Sequence, residues 1–113
     1  MSGLVQAFLQ FVSGVLTFTT GSSVALDRTI TAGGTTGNQT INKMAGTVNF
    51  AAAATAITVT NSLVNTSSII LGVVRTNDAT AVLKNIVAGS GSFVITLSAA
   101  ATAETSVGFV VTN

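Results

Sequence analysis

The sequence predicts an all-β protein: a small antiparallel β-sandwich or jelly-roll-like body that carries a short N-terminal amphipathic, helical arm. From Gly46 onward, short apolar segments alternate with polar turns, and no helical periodicity lies between them. Helical spacing of large apolar residues occurs only near the start of the chain. We therefore divide the chain into an apolar attachment or oligomerisation arm (1–20), a Gly/Thr-rich connection with short strands (21–45) and a β-sandwich body (46–113).

The arm is defined by apolar residues at alternating steps of four and three, with Gln6 and Gln10 on the opposite side. Burying such side chains is worth about 1.5–3 kcal/mol each, so the stripe is not expected to remain in water. It is expected to pack on the protein's own body, on a partner, or against the arms of sister chains. The candidate attachment residues are Leu4, Val5, Phe8, Phe11, Val12 and Val15.

The connection contains a glycine cluster at residues 33–37 (GGTTG). A phosphate-binding loop would need a Lys-Ser/Thr pair and a following helix, and the sequence has neither at this position. We interpret the cluster as turns between short strands.

The body contains several strand-like segments. Residues 68–76 (SIILGVVRT) form a continuous apolar run, which is typical of a central strand buried on both faces. Residues 89–91 (GSG) separate two further strands as a hairpin turn, and residues 107–111 form the last strand. The alanine-rich residues 51–54 and 99–103 have room for a single helical turn each, and we interpret them as compact crossovers because neither is long enough to nucleate a helix.

Composition excludes most catalytic chemistry. The chain has no His and no Cys, so a histidine general base, a Cys nucleophile and an ordinary zinc site have no residues to use. Charged residues make up 6% of the chain, compared with about 25% in typical soluble domains. We expect no enzyme activity, no cofactor and no metal.

The amino-acid composition also limits the kinds of partner that the protein can bind. The four basic residues are too few and too dispersed for nucleic-acid binding. The apolar start is interrupted by Gln6 and Gln10 and is shorter than the ~18 apolar residues of a membrane span. A net charge of +1 leaves little repulsion between copies, which suits a subunit of an assembly.

Two of the charged positions have expected structural roles. Asn77 and Asp78 follow an apolar run and are predicted to stabilise a turn through side-chain hydrogen bonds to nearby backbone N–H groups. A calcium site is the alternative, but it needs a denser cluster of oxygen ligands. Glu104 is expected to pair with Arg75 or Lys84.

The body resembles a short module of tailed-bacteriophage virion proteins, found in head decorations, head fibres and tail-associated proteins. The stretches that carry the resemblance are residues 46–52 (GTVNFAA), 57–64 (ITVTNSLV), 74–80 (VRTNDAT), 91–93 (GSF) and 101–109 (ATAETSVGF). This resemblance covers about three-fifths of the chain and does not include the arm. It implies an all-β fold, homotrimers in many settings and no catalysis.

The resemblance leads to a functional hypothesis. The chain is expected to be a homotrimeric capsid decoration or head-fibre protein, located in the virion on the outer capsid surface, with the major capsid protein as its partner. The alternative is a tail-fibre or tail-tip module that recognises a host surface. Sugar recognition commonly uses aromatic platforms, and the absence of Trp and Tyr counts against that alternative.

Overall fold

The computed structural model describes residues 20, 21, 23 and 25–113, and this part of the chain is all-β with no helix. The predicted all-β class and sandwich-like body are therefore confirmed there. The predicted helical arm, with the candidate residues from Leu4 to Val15, lies outside the described residues. The eight strands are β1 (Arg28–Ile30), β2 (Gln39–Thr40), β3 (Ala45–Phe50), β4 (Ala56–Thr60), β5 (Ile69–Val74), β6 (Leu83–Ala88), β7 (Ser92–Leu97) and β8 (Thr105–Thr112).

The strands form two four-stranded sheets. Sheet I has the order β1-β3-β8-β5 and sheet II has the order β2-β4-β7-β6. The sheets are mixed, because β1 pairs with β3 and β2 pairs with β4 in parallel. Every strand pair within the predicted body, from β3 to β8, is antiparallel as expected. The two parallel pairs involve β1 and β2, which belong to the connection. The chain crosses to the other sheet and back between β1 and β3 and again between β2 and β4, and such crossovers can join parallel strands, whereas a tight hairpin cannot.

The core lies between the two sheets and is built from alternate residues of the central strands. Phe93 and Phe109 meet edge to face, with ring centroids 4.9 Å apart. Phe109 is in register with Gly46 on one side and Gly72 on the other. A Cβ atom at Gly46 would lie 3.0 Å from the Phe109 ring, so the missing side chain leaves room for that ring. The core also contains Val48, Phe50, Ile57, Val59, Ile95, Leu97, Val107 and Val111.

Gly72 has a second packing role, because it faces the other sheet. A Cβ atom there would lie 2.5 Å from Ile86 Cδ1 and 3.1 Å from Leu83 Cδ2, both on β6. Glycine at this position therefore lets β5 and β6 approach each other closely across the sandwich.

The turn predictions are confirmed at two places. The residue 89–91 turn joins the antiparallel strands β6 and β7, with the Gly89 N–H donating to Ser92 O over 2.7 Å. Residues 33–37 also form turns, in which Gly34 has φ 90° and Gly37 has φ 92°. These left-handed conformations explain why glycine occurs there.

Residues 51–54 and 99–103 contain no helical turn, and each stretch connects one sheet to the other as the predicted compact crossover. The prediction for residues 68–76 is wrong. The run 68–76 is not a central strand, because β5 is the edge of sheet I and alternate side chains point outward into solvent. Within the described residues, no helix is long and apolar enough to cross a bilayer.

Candidate interaction surface

The most unusual feature of the surface is a row of apolar side chains on the outer face of β5. Ile69 is 65% exposed, Leu71 is 61% exposed and Val73 is 60% exposed. We call these three residues the β5 row. Their neighbours Ile70 and Val74 pack against the core, so the strand is apolar on both faces although only one face is covered.

Next to the β5 row lies an open groove of about 460 Å³. Its floor includes Gly108 and Val110 of β8, while Arg75 and Arg28 lie on opposite sides. A Cβ atom at Gly108 would lie 3.2 Å from Arg75 Cδ and 3.6 Å from Val73 Cγ1. Glycine at position 108 therefore lets the side chains of β5 lie against the backbone of β8.

The other part of this face is covered by the chain itself. The Thr31 N–H donates to Thr47 Oγ1 over 2.9 Å, and Asn49 Nδ2 donates to the carbonyl oxygens of Ala32 and Thr35. These bonds hold residues 31–35 over the end of β3. Thr47 and Asn49 are consequently buried, whereas the β5 row remains uncovered by described residues.

Glu104 fixes the same loop from the other side. Its Oε2 atom accepts a hydrogen bond from the Gly34 N–H over 2.8 Å, and its Oε1 atom accepts one over 3.1 Å. The expected pairing with Arg75 or Lys84 is wrong, because the fold brings Glu104 to the residue 33–37 turn, 70 positions away in sequence.

Asp78 lies in the connection from β5 to β6, which joins the two sheets. Its Oδ2 atom accepts hydrogen bonds from the N–H groups of Ala81 (2.7 Å) and Thr80 (3.0 Å). Its Oδ1 atom accepts bonds from the N–H and the hydroxyl of Thr102, each over 2.8 Å. These donors, with the Ala81 and Thr80 amides contributing most, hold the pKa of Asp78 well below its usual value of 3.8.

The geometry at Asp78 is that of a turn anchor. Both carboxylate oxygens receive N–H or O–H donors, and a calcium ion would need the same lone pairs. Asn77, the second residue assigned to this turn, is exposed and makes no side-chain hydrogen bond to any described residue.

The remaining acid, Asp27, pairs with Lys43 over 3.3 Å at an exposed position. The three acids of the chain thus contact three different partners: Lys43, the Gly34 amide and the turn around Ala81. Among residues 20, 21, 23 and 25–113, no three His, Cys, Asp or Glu side chains gather in one place.

Sequence reasoning missed the β5 row. Residues 69–74 are apolar at both odd and even positions except Gly72, so periodicity alone does not indicate which face is buried. The one available signal was Arg75. It is the next residue in the alternating series 69, 71 and 73, and its charge indicates that this series faces solvent.

Comparison with known proteins found no relative of this chain. No protein-family model, curated protein or solved structure matches the chain.

Proposed function

We propose that this chain is a structural protein of a bacteriophage virion: a homo-oligomeric capsid decoration or head-fibre protein that binds the assembled shell from outside. The observation that carries the proposal is the β5 row, three large apolar side chains of a small domain, each at least 60% exposed. Exposed apolar patches of this kind mark sites of protein contact. The proposal is also supported by the charged fraction of 6% and by the resemblance of residues 46–113 to phage virion modules.

The N-terminal arm supplies the attachment in this proposal. Its apolar stripe, which includes Phe8 and Phe11, would bind the major capsid protein, and each buried large side chain would contribute about 1.5–3 kcal/mol before ordering costs. A protein that binds only the assembled shell stabilises that shell by mass action. A trimer with three arms gathered near its axis is the arrangement that the resemblance favours.

The proposed role is not catalytic. Asp78 and Glu104, two of the three acids, are engaged by backbone N–H groups that stabilise turns and loops. A carboxylate whose oxygens accept such bonds is poorly suited to act as a general base. The contacts of these two acids therefore support a structural role for the protein.

The location of the protein is tested by antibody labelling of the virions whose genome encodes it. Labelled heads are expected. Labelled tails would instead assign the chain to the alternative class, a tail-fibre or tail-tip module, and the absence of label from both would reject a virion role.

The attachment role is tested with the full-length double variant Phe8→Ser/Phe11→Ser. We expect it to be lost from purified particles, because the stripe no longer gains apolar burial on the shell. The matched control is Gln6→Ser/Gln10→Ser, which changes the opposite side of the arm and should leave occupancy unchanged. Equal occupancy of both variants would contradict the attachment role.

A further inference from the structure

We propose that the edge of β5 pairs with the β5 edge of a second copy of this chain, in antiparallel register centred on Gly72. This contact is separate from the arm and does not depend on the proposed virion role. The described part of the chain has four sheet edges: β1 and β5 in sheet I, and β2 and β6 in sheet II.

Three of these edges are protected against pairing. Strand β1 has three residues and strand β2 has two, which are too short to support a stable ladder. Strand β6 has a bulge between Leu83 and Asn85, and Lys84 lies at that bulge with its side chain exposed. Bulges, lysines and short strands are the common means of blocking edge-to-edge association.

The β5 edge has none of these protections. It is six residues long, its pairing with β8 is regular, and it contains no charge, no proline and no bulge. The Arg75 N–H donates to Ser106 O of the strand next to it over 2.7 Å. Odd-numbered residues of β5 therefore direct their backbone groups to β8, and the groups of Ile70, Gly72 and Val74 point to the open side.

A second β5 strand is complementary to this edge. With Gly72 opposite Gly72 of the other copy, Ile70 lies opposite Val74, and both pairs can exchange backbone hydrogen bonds. On the outer face, Leu71 then lies opposite Val73 of the other copy, so the two β5 rows merge into one apolar patch. Side chains of the two rows would contact one another across the seam, which removes part of their exposed apolar surface from water.

The charges of the two strands also fit this register. Each Arg75 lies opposite Ile69 of the other copy, and the two guanidinium groups are about 20 Å apart at ~3.3 Å per residue. That separation exceeds the Debye length of about 8 Å at physiological salt, so repulsion between them is screened. A strand pair of this size buries less than the roughly 800 Å² per partner of a standard interface, so the contact would be strengthened by neighbouring contacts in an assembly.

The contact is tested by sedimentation of the full-length protein and of Val73→Lys. The wild type is expected to have an even number of subunits: two if β5 alone joins the copies, or six if the contact joins two of the proposed trimers. A wild type that sediments as a trimer would contradict the contact. The variant should have half that mass, or associate at least tenfold more weakly, because lysine would be placed in the merged apolar patch. The matched control is Val87→Lys on the protected β6 edge; Val87 is 58% exposed, compared with 60% for Val73. Circular dichroism verifies that both variants are folded.

Three further outcomes would overturn the proposal: a monomeric wild type, a Val73→Lys mass equal to that of the wild type, or an equal loss in the Val87→Lys control. An unchanged mass with lower stability in Val73→Lys would assign the β5 row to another segment of the same chain. Loss of the attachment role in the arm variants would not affect these measurements, so the two proposals fail separately.

The register is tested by disulfide formation, which the absence of native cysteine makes unambiguous. A mixture of the Leu71→Cys and Val73→Cys chains should cross-link readily, because directly opposite Cβ atoms in this register are about 5 Å apart. Leu71→Cys alone should cross-link more slowly, since its two copies are diagonal neighbours. Val87→Cys is the background control, and cross-linking of the mixture at the rate of this control would reject the register.

Discussion

The outer faces of the two sheets differ, although both sheets contribute alternating apolar residues to one core. Sheet I exposes three large apolar side chains, the β5 row, whereas the edge strand β6 of sheet II exposes one, Val87. The central strands of sheet II have Thr58, Thr60, Ser92, Val94 and Thr96 at their outward positions. Most of these are hydroxyl side chains, which retain their hydrogen bonds to water. Covering the apolar outer face of sheet I lowers the free energy of the protein. In the proposed assembly, sheet I is therefore the side that makes contacts.

The edges of the two sheets show the same difference. Strands β5 and β6 lie on the same side of the sandwich and contact each other through Gly72 and Ile86. The β6 edge has a bulge and an exposed lysine, while the β5 edge is regular and uncharged. Protection of one neighbouring edge and not the other is the pattern expected when only one of them is used.

The largest effect is expected for Phe109→Ala, which removes a ring that both sheets contact. The variant should lose about 3–5 kcal/mol of the free energy of unfolding, because a buried aromatic side chain is replaced by a cavity. Denaturant unfolding measures this loss. The control is Val110→Ala, the next residue, which points outward on sheet I and should lose far less. Similar losses in both variants would contradict the assignment of inner and outer faces.

An intermediate effect is expected for Asp78→Asn, which weakens the turn that joins sheet I to sheet II. Asn replaces one acceptor oxygen by an N–H₂ group that would face the N–H donors of Ala81 and Thr80. The melting temperature at pH 7 should therefore fall. Asp27→Asn, at the exposed pair with Lys43, is the control and should change it little.

The same variant has a defined pH dependence. Because folding lowers the pKa of Asp78, its stabilisation is fully present above the usual value of 3.8 and is lost as the pH falls below it toward the folded-state pKa. The difference in melting temperature between wild type and Asp78→Asn should therefore shrink as the pH is lowered from 7 to below 3.8. A difference that grows in acid would contradict the hydrogen-bond assignment.

The smallest effect on stability is expected for the triple variant Ile69→Thr/Leu71→Thr/Val73→Thr, which gives sheet I an outer face like that of sheet II. Exposed substitutions usually change the free energy of unfolding by less than about 0.5 kcal/mol each. Binding of a hydrophobic dye should nevertheless fall, with Val87→Thr as the control. A large loss of stability would show that the β5 row is covered within the isolated chain, whereas unchanged dye binding at unchanged stability would show that the row is not the dye-binding surface.

Much of the fold could be predicted from local sequence. The turns at 33–37 and 89–91 follow from glycines that adopt positive φ, and the core positions of β3 and β4 follow from the alternation of apolar and polar residues. Strand β5 could not be assigned in this way, because an apolar residue at nearly every position suits either a central or an edge strand. Its place at the edge depends on which strand pairs with β8.

The sequence predicted the turn at Asp78, but it did not predict the exposed β5 row or the distant partners of Asp78 and Glu104. The turn at Asp78 was assigned from residue type, whereas its contact with Thr102 joins residues 24 positions apart. The bond from Gly34 to Glu104 spans 70 positions. Such partners are selected by the folded arrangement of loops, and no local pattern specifies them.

Composition and the spacing of near neighbours are enough to predict an all-β body, and they establish a chain with few charges and no histidine or cysteine. Which apolar residues are covered depends instead on the tertiary structure. Strand order sets which face of β5 meets the core, and it leaves Ile69, Leu71 and Val73 exposed among the described residues. Pairing between distant strands is a property of the whole fold, so the proposed contact surface becomes visible only when the sheets are assembled.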